Sequence, residues 1–217
     1  MCNCHVLPSG SSIVKYLFVI YTDLEYKEHL DCFKSKEFYK EISNNPNIEV
    51  MEWGSDFHTE YKDLPSKTQQ MMKWCSENKE YDYLIKCDDT IFDKKWIQYW
   101  EKLDYINIFK NDIIEHRWDW SDGKWYKIKP ISNEYKGINL LKLKKQDWIN
   151  YKNSHPNVKE FDISKLKEIS FFEGKFYVVS KALSIFISEQ EKFNIPIEDY
   201  MVGYYYDRFK SIRSISR

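Results

Sequence analysis

Short apolar runs alternate with longer amphipathic stretches along the first part of this chain. Apolar runs rich in β-branched and aromatic residues cover residues 16–22, residues 48–53 and the segment that ends at Asp88. Runs of this length and composition are typical of buried strands. Between them, a charged amphipathic stretch through about Ile42 and a second one over residues 66–78 predict helices. Strands that alternate with helices predict an α/β protein whose central sheet is mostly parallel and flanked by helices.

The middle of the chain adds a small antiparallel part to this α/β pattern. Residues 93–103 predict a helix with an aromatic face, and residues 105–109 predict another short strand. The segment Arg117–Tyr126 predicts an antiparallel hairpin that turns at Asp122 and Gly123.

Periodicity weakens and then returns in the second half of the chain. Residues 130–169 are rich in Lys and Asn, and we expect an irregular excursion with one short helix there. Residues 171–180 then predict a strand, and residues 181–193 predict a helix. Pro196 opens a turn that leads to the acidic pair Glu198 and Asp199.

Length and net charge limit the architecture and the partners. A chain of 217 residues is long enough for one sizeable domain, so we expect a single domain over 1–217 with a loose arm at residues 1–12. With 33 Lys and Arg against 34 Asp and Glu, the chain has no broad field that attracts nucleic acid or an anionic membrane. We therefore expect no nucleic-acid partner.

The number and spacing of the cysteines and the hydropathy of the chain indicate the cellular compartment that we expect for the protein. Five cysteines at irregular spacing do not resemble a secreted disulfide framework, so we expect a reducing, cytoplasmic environment. The apolar segment at residues 13–21 is too short to span a bilayer and lacks the flanks of a signal peptide. We therefore expect a soluble protein with no membrane span.

Two adjacent carboxylates stand where the third apolar run stops. In open α/β sheets, ligands bind beyond the carboxyl ends of the strands, and Asp88 and Asp89 lie at such an end. Carboxylate oxygens suit Mg²⁺ and Mn²⁺, which leave coordination positions open for substrate phosphates. The alternative is that both residues serve only as turn or helix-capping residues.

Five segments elsewhere follow one order that is similar to a known enzyme family. They are Tyr61–Thr68 followed by Trp74, Lys86–Phe92, Lys124–Tyr126, Glu173–Ser180 and Glu198–Gly203. In this order they resemble the β-1,3-galactosyltransferases and the Fringe-type glycosyltransferases. The resemblance covers about residues 60–205 and implies a GT-A fold. It also implies transfer of a hexose from a uridine-diphosphate sugar, assisted by Mn²⁺ or Mg²⁺.

The resemblance also implies roles for individual residues. Asp88 and Asp89 match the acidic motif that binds the metal, although the third acid of that motif is Thr90 here. Gly174 is the residue that remains of the family's glycine cluster, so we expect it beside the nucleotide. The family draws a late His toward the metal, and this chain has no His after His155.

Three residues near strand and helix ends complete the expected donor site. Thr22 and Asp23 end the first strand, where a nucleotide base or ribose is expected, and Lys67 is expected to approach the phosphates. The alternative for each is a surface turn or a solvated charge.

Asp199 is the candidate general base for the acceptor hydroxyl. It is expected in a turn just before a helix start, and direct attack assisted by one carboxylate implies inversion at the anomeric carbon. The alternative is that Glu198 and Asp199 only favour a helix N-terminus.

The sequence thus predicts a glycosyltransferase that moves a sugar from a uridine-diphosphate donor to a glycan hydroxyl. Without a membrane anchor, it fits a viral or microbial enzyme or one domain of a larger polypeptide. Two other hypotheses about the function stay open. One is a catalytically inactive module that binds a nucleotide sugar or a glycan, and the other is an acid-cluster phosphohydrolase or nuclease, which requires more convergent carboxylates.

Overall fold

A mixed sheet forms the centre of the structure, a computed structural model that describes residues 13–89, 117–118, 125–126, 132–137, 140–142, 145–154 and 166–215. The strands of this described part are β1 (Tyr16–Tyr21), β2 (Ile48–Trp53), β3 (Tyr83–Asp88), β4 (Arg117–Trp118), β5 (Trp125–Tyr126), β6 (Tyr135–Gly137), β7 (Leu140–Lys142), β8 (Ser170–Phe172) and β9 (Phe176–Ser180). The central sheet has the order β2-β1-β3-β9-β6. β1 pairs in parallel with β2 and β3, whereas β9 runs antiparallel to both β3 and β6. Four of its strands therefore point the same way and only β9 is reversed.

Helices cover both faces of this sheet. The helices of the described ranges are α1 (Lys27–Lys34), α2 (Glu37–Asn44), α3 (Leu64–Asn78), α4 (Lys145–Ser154), α5 (Lys181–Ser188) and α6 (Glu198–Ile215), and all except α4 have residues in the two cores beside the sheet. Side chains alternate between the faces of a strand, so Phe18 and Ile20 pack with α1 and α2, while Leu17 and Val19 pack with α3, α5 and α6. The result is a three-layer α/β arrangement with an apolar core on each side of the sheet.

Several predicted elements are confirmed. β1, β2 and β3 lie within a residue or two of the predicted runs, and α3 and the short helix α4 are present. The predicted hairpin is confirmed at its ends, because β4 pairs antiparallel with β5. The α/β class with a mostly parallel central sheet and a small antiparallel part is therefore confirmed. The predicted turn at Asp122 and Gly123, the elements at 93–103 and 105–109 and the arm at 1–12 lie outside the described residues.

The first predicted helix is interrupted in the structure. It consists of a 3-10 turn at Leu24–Tyr26 followed by α1 and α2, with Lys36 in an extended conformation between the two helices. This break lets Phe33 and Phe38 both reach Phe18, with ring centroids 6.3 and 5.8 Å from it. Aromatic packing on β1 thus accounts for the interruption.

The second half differs more from the prediction. The predicted strand at 171–180 is divided by a turn at Glu173–Lys175, and only β9 joins the central sheet, while β8 pairs with β7. The predicted excursion at 130–169 is not wholly irregular, because β6 extends the central sheet and the Tyr135 hydroxyl accepts a hydrogen bond from the Phe172 amide at 3.0 Å. The predicted helix at 181–193 ends at Ser188. Within the described ranges, no helix combines the length and the apolar character needed to cross a membrane.

Candidate functional site

The carboxyl ends of β1 and β3 meet the start of β9 at one edge of the central sheet. Tyr21 pairs with Asp88, and Cys87 pairs with Phe176. The Asp88 amide donates to the Lys175 carbonyl at 2.8 Å, which fixes the turn at Glu173–Lys175 beside the end of β3. This edge carries most of the residues that the sequence singled out.

Asp89 is the more buried of the two adjacent acids. Its side chain accepts a hydrogen bond from the Thr22 hydroxyl at 2.6 Å, which links the end of β3 to the end of β1. Burial and then the nearby Asp88 carboxylate raise the pKa of Asp89 to about 7, against the lowering effect of the Thr22 hydrogen bond. Asp88 is more accessible, with 29 % of its side chain exposed.

Asp23 stands one residue beyond Thr22 and is held by a loop. It accepts hydrogen bonds from the Thr59 amide at 2.7 Å and the Glu25 amide at 3.2 Å, and its carboxylate lies 3.0 Å from His58 Nδ1. Burial acts to raise the pKa of Asp23, but these hydrogen bonds and the charge of Lys67 outweigh burial and lower it. The same contact raises the pKa of His58. Asp23 is thus an ionised carboxylate at neutral pH.

Lys67 is buried beneath this loop. Its ammonium group donates to the Thr22 carbonyl, lies 3.7 Å from Asp23 Oδ2, and sits 5.0 Å from the centroid of the Phe57 ring. Burial lowers the pKa of Lys67, and the nearby charge of Lys86 lowers it further, while Asp23 opposes them. Lys67 is therefore an internal counter-ion of Asp23, and its expected approach to phosphates stays a prediction.

Lys86 is a second buried ammonium group, on the face of β3 that packs against α3 and α6. It donates to the Gly174 carbonyl, and it lies 3.6 Å from Glu198 Oε2 and 3.8 Å from Asp88 Oδ2. Burial alone lowers the pKa of Lys86, but the carboxylates around it reverse the effect and raise it. Lys86 is therefore a charged centre that joins β3, the turn before β9, and the first turn of α6.

Asp199 is half-buried and belongs to the same group of charges. The prediction of a turn just before a helix is wrong in position, because Asp199 is the second residue of α6. Its Oδ1 accepts a hydrogen bond from the Tyr200 amide at 3.0 Å. Burial and the Glu198 charge raise the pKa of Asp199 to about 7, against the lowering effects of that hydrogen bond and of Lys86.

Gly174 has a steric role at this site. A Cβ atom built on it would lie 2.7 Å from Glu198 Oε2 and 3.5 Å from Asp199 Cβ. Because the first of these distances is too short for a side chain unless Glu198 moves, glycine allows the turn before β9 to approach the first turn of α6. Gly174 thus lies with the acids of the site.

Most of the predicted site residues are brought together. Thr22, Asp23, Lys67 and Asp89 lie at the β1 side of the edge, and Asp88, Gly174 and Asp199 surround Lys86 at the β9 side. The link between the two sides is Tyr21, because Lys67 and Lys86 lie 4.7 and 4.4 Å from the centroid of its ring.

Sequence reasoning missed three important residues. The sequence names Lys86 only as part of a motif and Glu198 only as a motif residue or a helix N-terminal acid, and it does not single out His58. A lysine at a position that alternation assigns to the buried face of β3 is a signal for Lys86, because buried charges require partners. Glu198 and His58 gave no comparable signal, since their partners are distant in sequence.

Two groups of side chains offer oxygen or nitrogen ligands. At the end of β3, Asp88 and Asp89 lie close enough for their carboxyl groups to share a hydrogen bond. Separately, one ligand atom from each of Asp23, Glu25 and His58 lies within 4.8 Å of the others. Glu25 and His58 are exposed there, and Asp23 already receives several hydrogen bonds. The pair at Asp88 and Asp89 is the one that adjoins Lys86 and Asp199.

Comparison with models of known protein families gives no match for this chain, and a search of curated protein sequences gives no match either.

Proposed function

We propose that this protein is a glycosyltransferase that transfers a sugar from a uridine-diphosphate donor to a glycan hydroxyl with inversion. One observation carries the proposal. Asp88 at the end of β3 and the two acids Glu198 and Asp199 on the first turn of α6 lie around one buried ammonium group, Lys86. This provides a position for a diphosphate and a separate base within one edge of the sheet.

The sheet supports assignment to the GT-A type. Parallel strands in the order β2-β1-β3 place the end of β1 beside the end of β3, and the reversed strand β9 follows. Ligands of such sheets bind at the carboxyl ends of the strands. Two of the motifs that resemble the β-1,3-galactosyltransferases, Lys86–Phe92 and Glu173–Ser180, include residues of β3 and β9.

The donor nucleotide is assigned to the end of β1. Asp23, with 9 % of its side chain exposed, is an ionised hydrogen-bond acceptor for a base or ribose hydroxyl, and the half-exposed His58 beside it is a donor when protonated. Lys67 stabilises the ionised form of Asp23 from the buried side and does not contact the nucleotide itself. Thr22 holds Asp89 in place between the nucleoside and the diphosphate.

The residues at the end of β3 fit a divalent cation. Two carboxyl groups in mutual contact, one buried and one partly exposed, form a hard oxygen donor set that leaves positions for phosphate oxygens and water. Asp88 and Asp89 would hold Mn²⁺ or Mg²⁺. When bound, such an ion neutralises the negative charge that develops on the departing diphosphate.

The transfer step needs one base and one leaving group. The acceptor oxygen forms a bond to the anomeric carbon from the side opposite the diphosphate, while the bond from that carbon to the phosphate oxygen breaks. The electron pair of the broken bond leaves on uridine diphosphate, and the proton of the acceptor hydroxyl passes to Asp199. A carboxylate whose pKa is about 7 suits this role near neutral pH.

The test combines a donor screen with one variant. The chain is incubated with a panel of nucleotide sugars and Mn²⁺, and released nucleoside diphosphate is measured. We expect slow release from a uridine-diphosphate sugar, reduced by about 10² to 10⁴ in Asp199→Asn because a general base contributes that much. Asp56→Asn, on an exposed turn, is the matched control and should keep full turnover.

Thermal melts with uridine diphosphate, with and without Mn²⁺, complete the test, because a ligand that binds only the folded state raises the melting temperature. Equal turnover by Asp199→Asn and the native chain would remove the base assignment. Binding without turnover favours the inactive module instead, a reading that the buried, hydrogen-bonded state of Asp89 supports. No binding and no turnover of any nucleotide sugar would overturn the proposal.

A further inference from the structure

We propose that Glu198 is the positioning residue for Asp199, an inference that rests on the proposed function. Its carboxylate fixes the first turn of α6 against the sheet and holds a negative charge beside the neighbouring acid. Glu198 itself does not face the acceptor, because it is only 7 % exposed and its carboxylate contacts the buried residues Thr68, Tyr177 and Lys86.

Glu198 is anchored by residues from three other elements. Its Oε1 accepts hydrogen bonds from the Tyr177 hydroxyl on β9 and from the Thr68 hydroxyl on α3, the latter at 3.3 Å. Its Oε2 lies 3.6 Å from Lys86 on β3. A carboxylate with partners on three elements has one permitted position, so the backbone that carries Asp199 is fixed as well.

The anchoring network extends behind the site. The Thr68 hydroxyl oxygen also lies 3.1 Å from the Tyr21 hydroxyl oxygen, and the ring of Tyr21 lies under both buried ammonium groups. Tyr21, Thr68, Lys86 and Tyr177 are all at most 5 % exposed. Water therefore does not compete for the partners of Glu198, and charge interactions between these groups are strong.

The charge of Glu198 acts on Asp199 directly. The charged or titratable groups that face Asp199 are Glu198 on its own helix, Lys86 on β3, Glu173 in the turn before β9 and Tyr135 on β6. Burial is the largest cause of the raised pKa of Asp199, and Glu198 is the largest contribution from a neighbouring charge. An adjacent carboxylate that contacts no substrate thus keeps Asp199 able to accept a proton near neutral pH.

The experiment removes the negative charge of Glu198 and keeps the shape of its side chain. In Glu198→Gln, the amide oxygen still accepts from Tyr177 and Thr68, but the negative charge is lost. The carboxyl carbon of Asp199, assigned by comparison with Asp199→Asn, is titrated by NMR in the ¹³C-aspartate-labelled full chain. We expect the pKa of Asp199 to fall by about one pH unit or more when the like charge is removed.

Turnover provides the second readout. The acidic limb of the pH profile of kcat should move to lower pH in Glu198→Gln, while the KM for the nucleotide sugar stays within about twofold, because the donor does not contact Glu198. The matched control is Glu41→Gln, the same substitution on an exposed position of α2, which should move neither the titration nor the profile.

Tyr177→Phe keeps the inference testable if Glu198→Gln does not fold. It removes one anchor of Glu198 and keeps the ring, so kcat should fall several-fold with little change in KM. An unchanged Asp199 titration in folded Glu198→Gln, or an unchanged kcat in Tyr177→Phe, would overturn the inference. The titration needs no turnover, so a chain inactive on every nucleotide sugar contradicts the proposed function separately.

Discussion

The hydrogen bond between Thr22 and Asp89 is the smallest feature on which the candidate site depends. Both side chains are about 3 % exposed, and the hydroxyl of Thr22 is the donor that stabilises the buried carboxylate of Asp89. A buried charge that loses a hydrogen-bond donor is left with its full desolvation cost. The contact therefore couples the ends of two neighbouring strands.

Thr22→Val tests this coupling, because it removes the hydroxyl group that donates to Asp89. Valine has the shape of threonine but no hydroxyl, so the free energy of unfolding at pH 8 should fall by about 1–3 kcal/mol. At pH 5, where Asp89 is protonated, the loss should be smaller. Urea unfolding at both pH values measures the difference. Thr22→Ser retains the hydroxyl and should lose less, and equal losses at the two pH values would contradict this explanation.

Individual residues differ in how far the sequence predicts them. Asp88 and Asp89 were recognisable because an apolar run stops at them, and this pattern places them at the carboxyl end of a strand. The contacts of Lys86 and Glu198 were not predictable, since each depends on a residue more than a hundred positions away. A charged side chain inside an apolar run indicates only that some partner exists.

At the scale of elements, the turn after β2 holds the β1 side of the candidate site together. Gly54 in this turn has φ +97°, and a Cβ atom there would collide with the Thr22 carbonyl and with Lys67. The turn leads to Phe57, whose carbonyl accepts from the Leu24 amide at 3.3 Å, and to His58 and Thr59 beside Asp23. One glycine thus allows the loop to cover Lys67.

Gly54→Ala should disrupt this loop. Alanine is strained at positive φ, and its methyl group also meets backbone, so the free energy of unfolding should fall by more than about 1 kcal/mol. Nucleotide affinity should weaken as well, because Asp23 and His58 depend on the loop. Denaturant unfolding and calorimetric titration with uridine diphosphate measure the two effects. Ser55→Ala, at the exposed next position, is the control, and a Gly54→Ala chain as stable as that control would refute the explanation.

The sequence predicted the parallel strands well because each is a continuous apolar run. It did not predict that the run at 171–180 contributes to two sheets, since the division depends on Gly174 meeting α6. The presence of strand β6 was also not predictable, because three residues are too few to show the alternation of a strand. Element identity is encoded locally, whereas partner and direction are set by packing across the chain.

At the scale of the molecule, acids with raised pKa values make the stability depend on pH. A carboxyl group whose pKa is higher in the folded state binds its proton more tightly there. Its contribution to stability is therefore complete below the unfolded value of about 3.9 and is lost as pH rises through about 7. Asp89 and Asp199 both act in this direction. His58 adds to the loss as pH rises, whereas Asp23 favours the folded state above its lowered pKa.

We expect the ligand-free chain to become less stable between pH 5 and pH 8, and Asp199→Asn to flatten this dependence. The variant should exceed the native chain at pH 8 by about 1–3 kcal/mol, because a neutral amide avoids the cost of a buried charge. Thermal melts across this range measure the slope. Asp56→Asn should keep the native slope, and an unchanged slope in Asp199→Asn would show that Asp199 does not titrate there.

The reversed strand β9 has a consequence for how the chain matures. Lys86 leaves the ribosome long before Glu198, its nearest counter-ion, and the carbonyl of Gly174 also comes late. Until β9 pairs with β3 and α6 packs against the sheet, water must solvate Lys86. The core on that face of the sheet therefore cannot form completely before then. We expect the growing chain to stay incompletely folded and to depend on chaperones until one late step completes the core and the candidate site together.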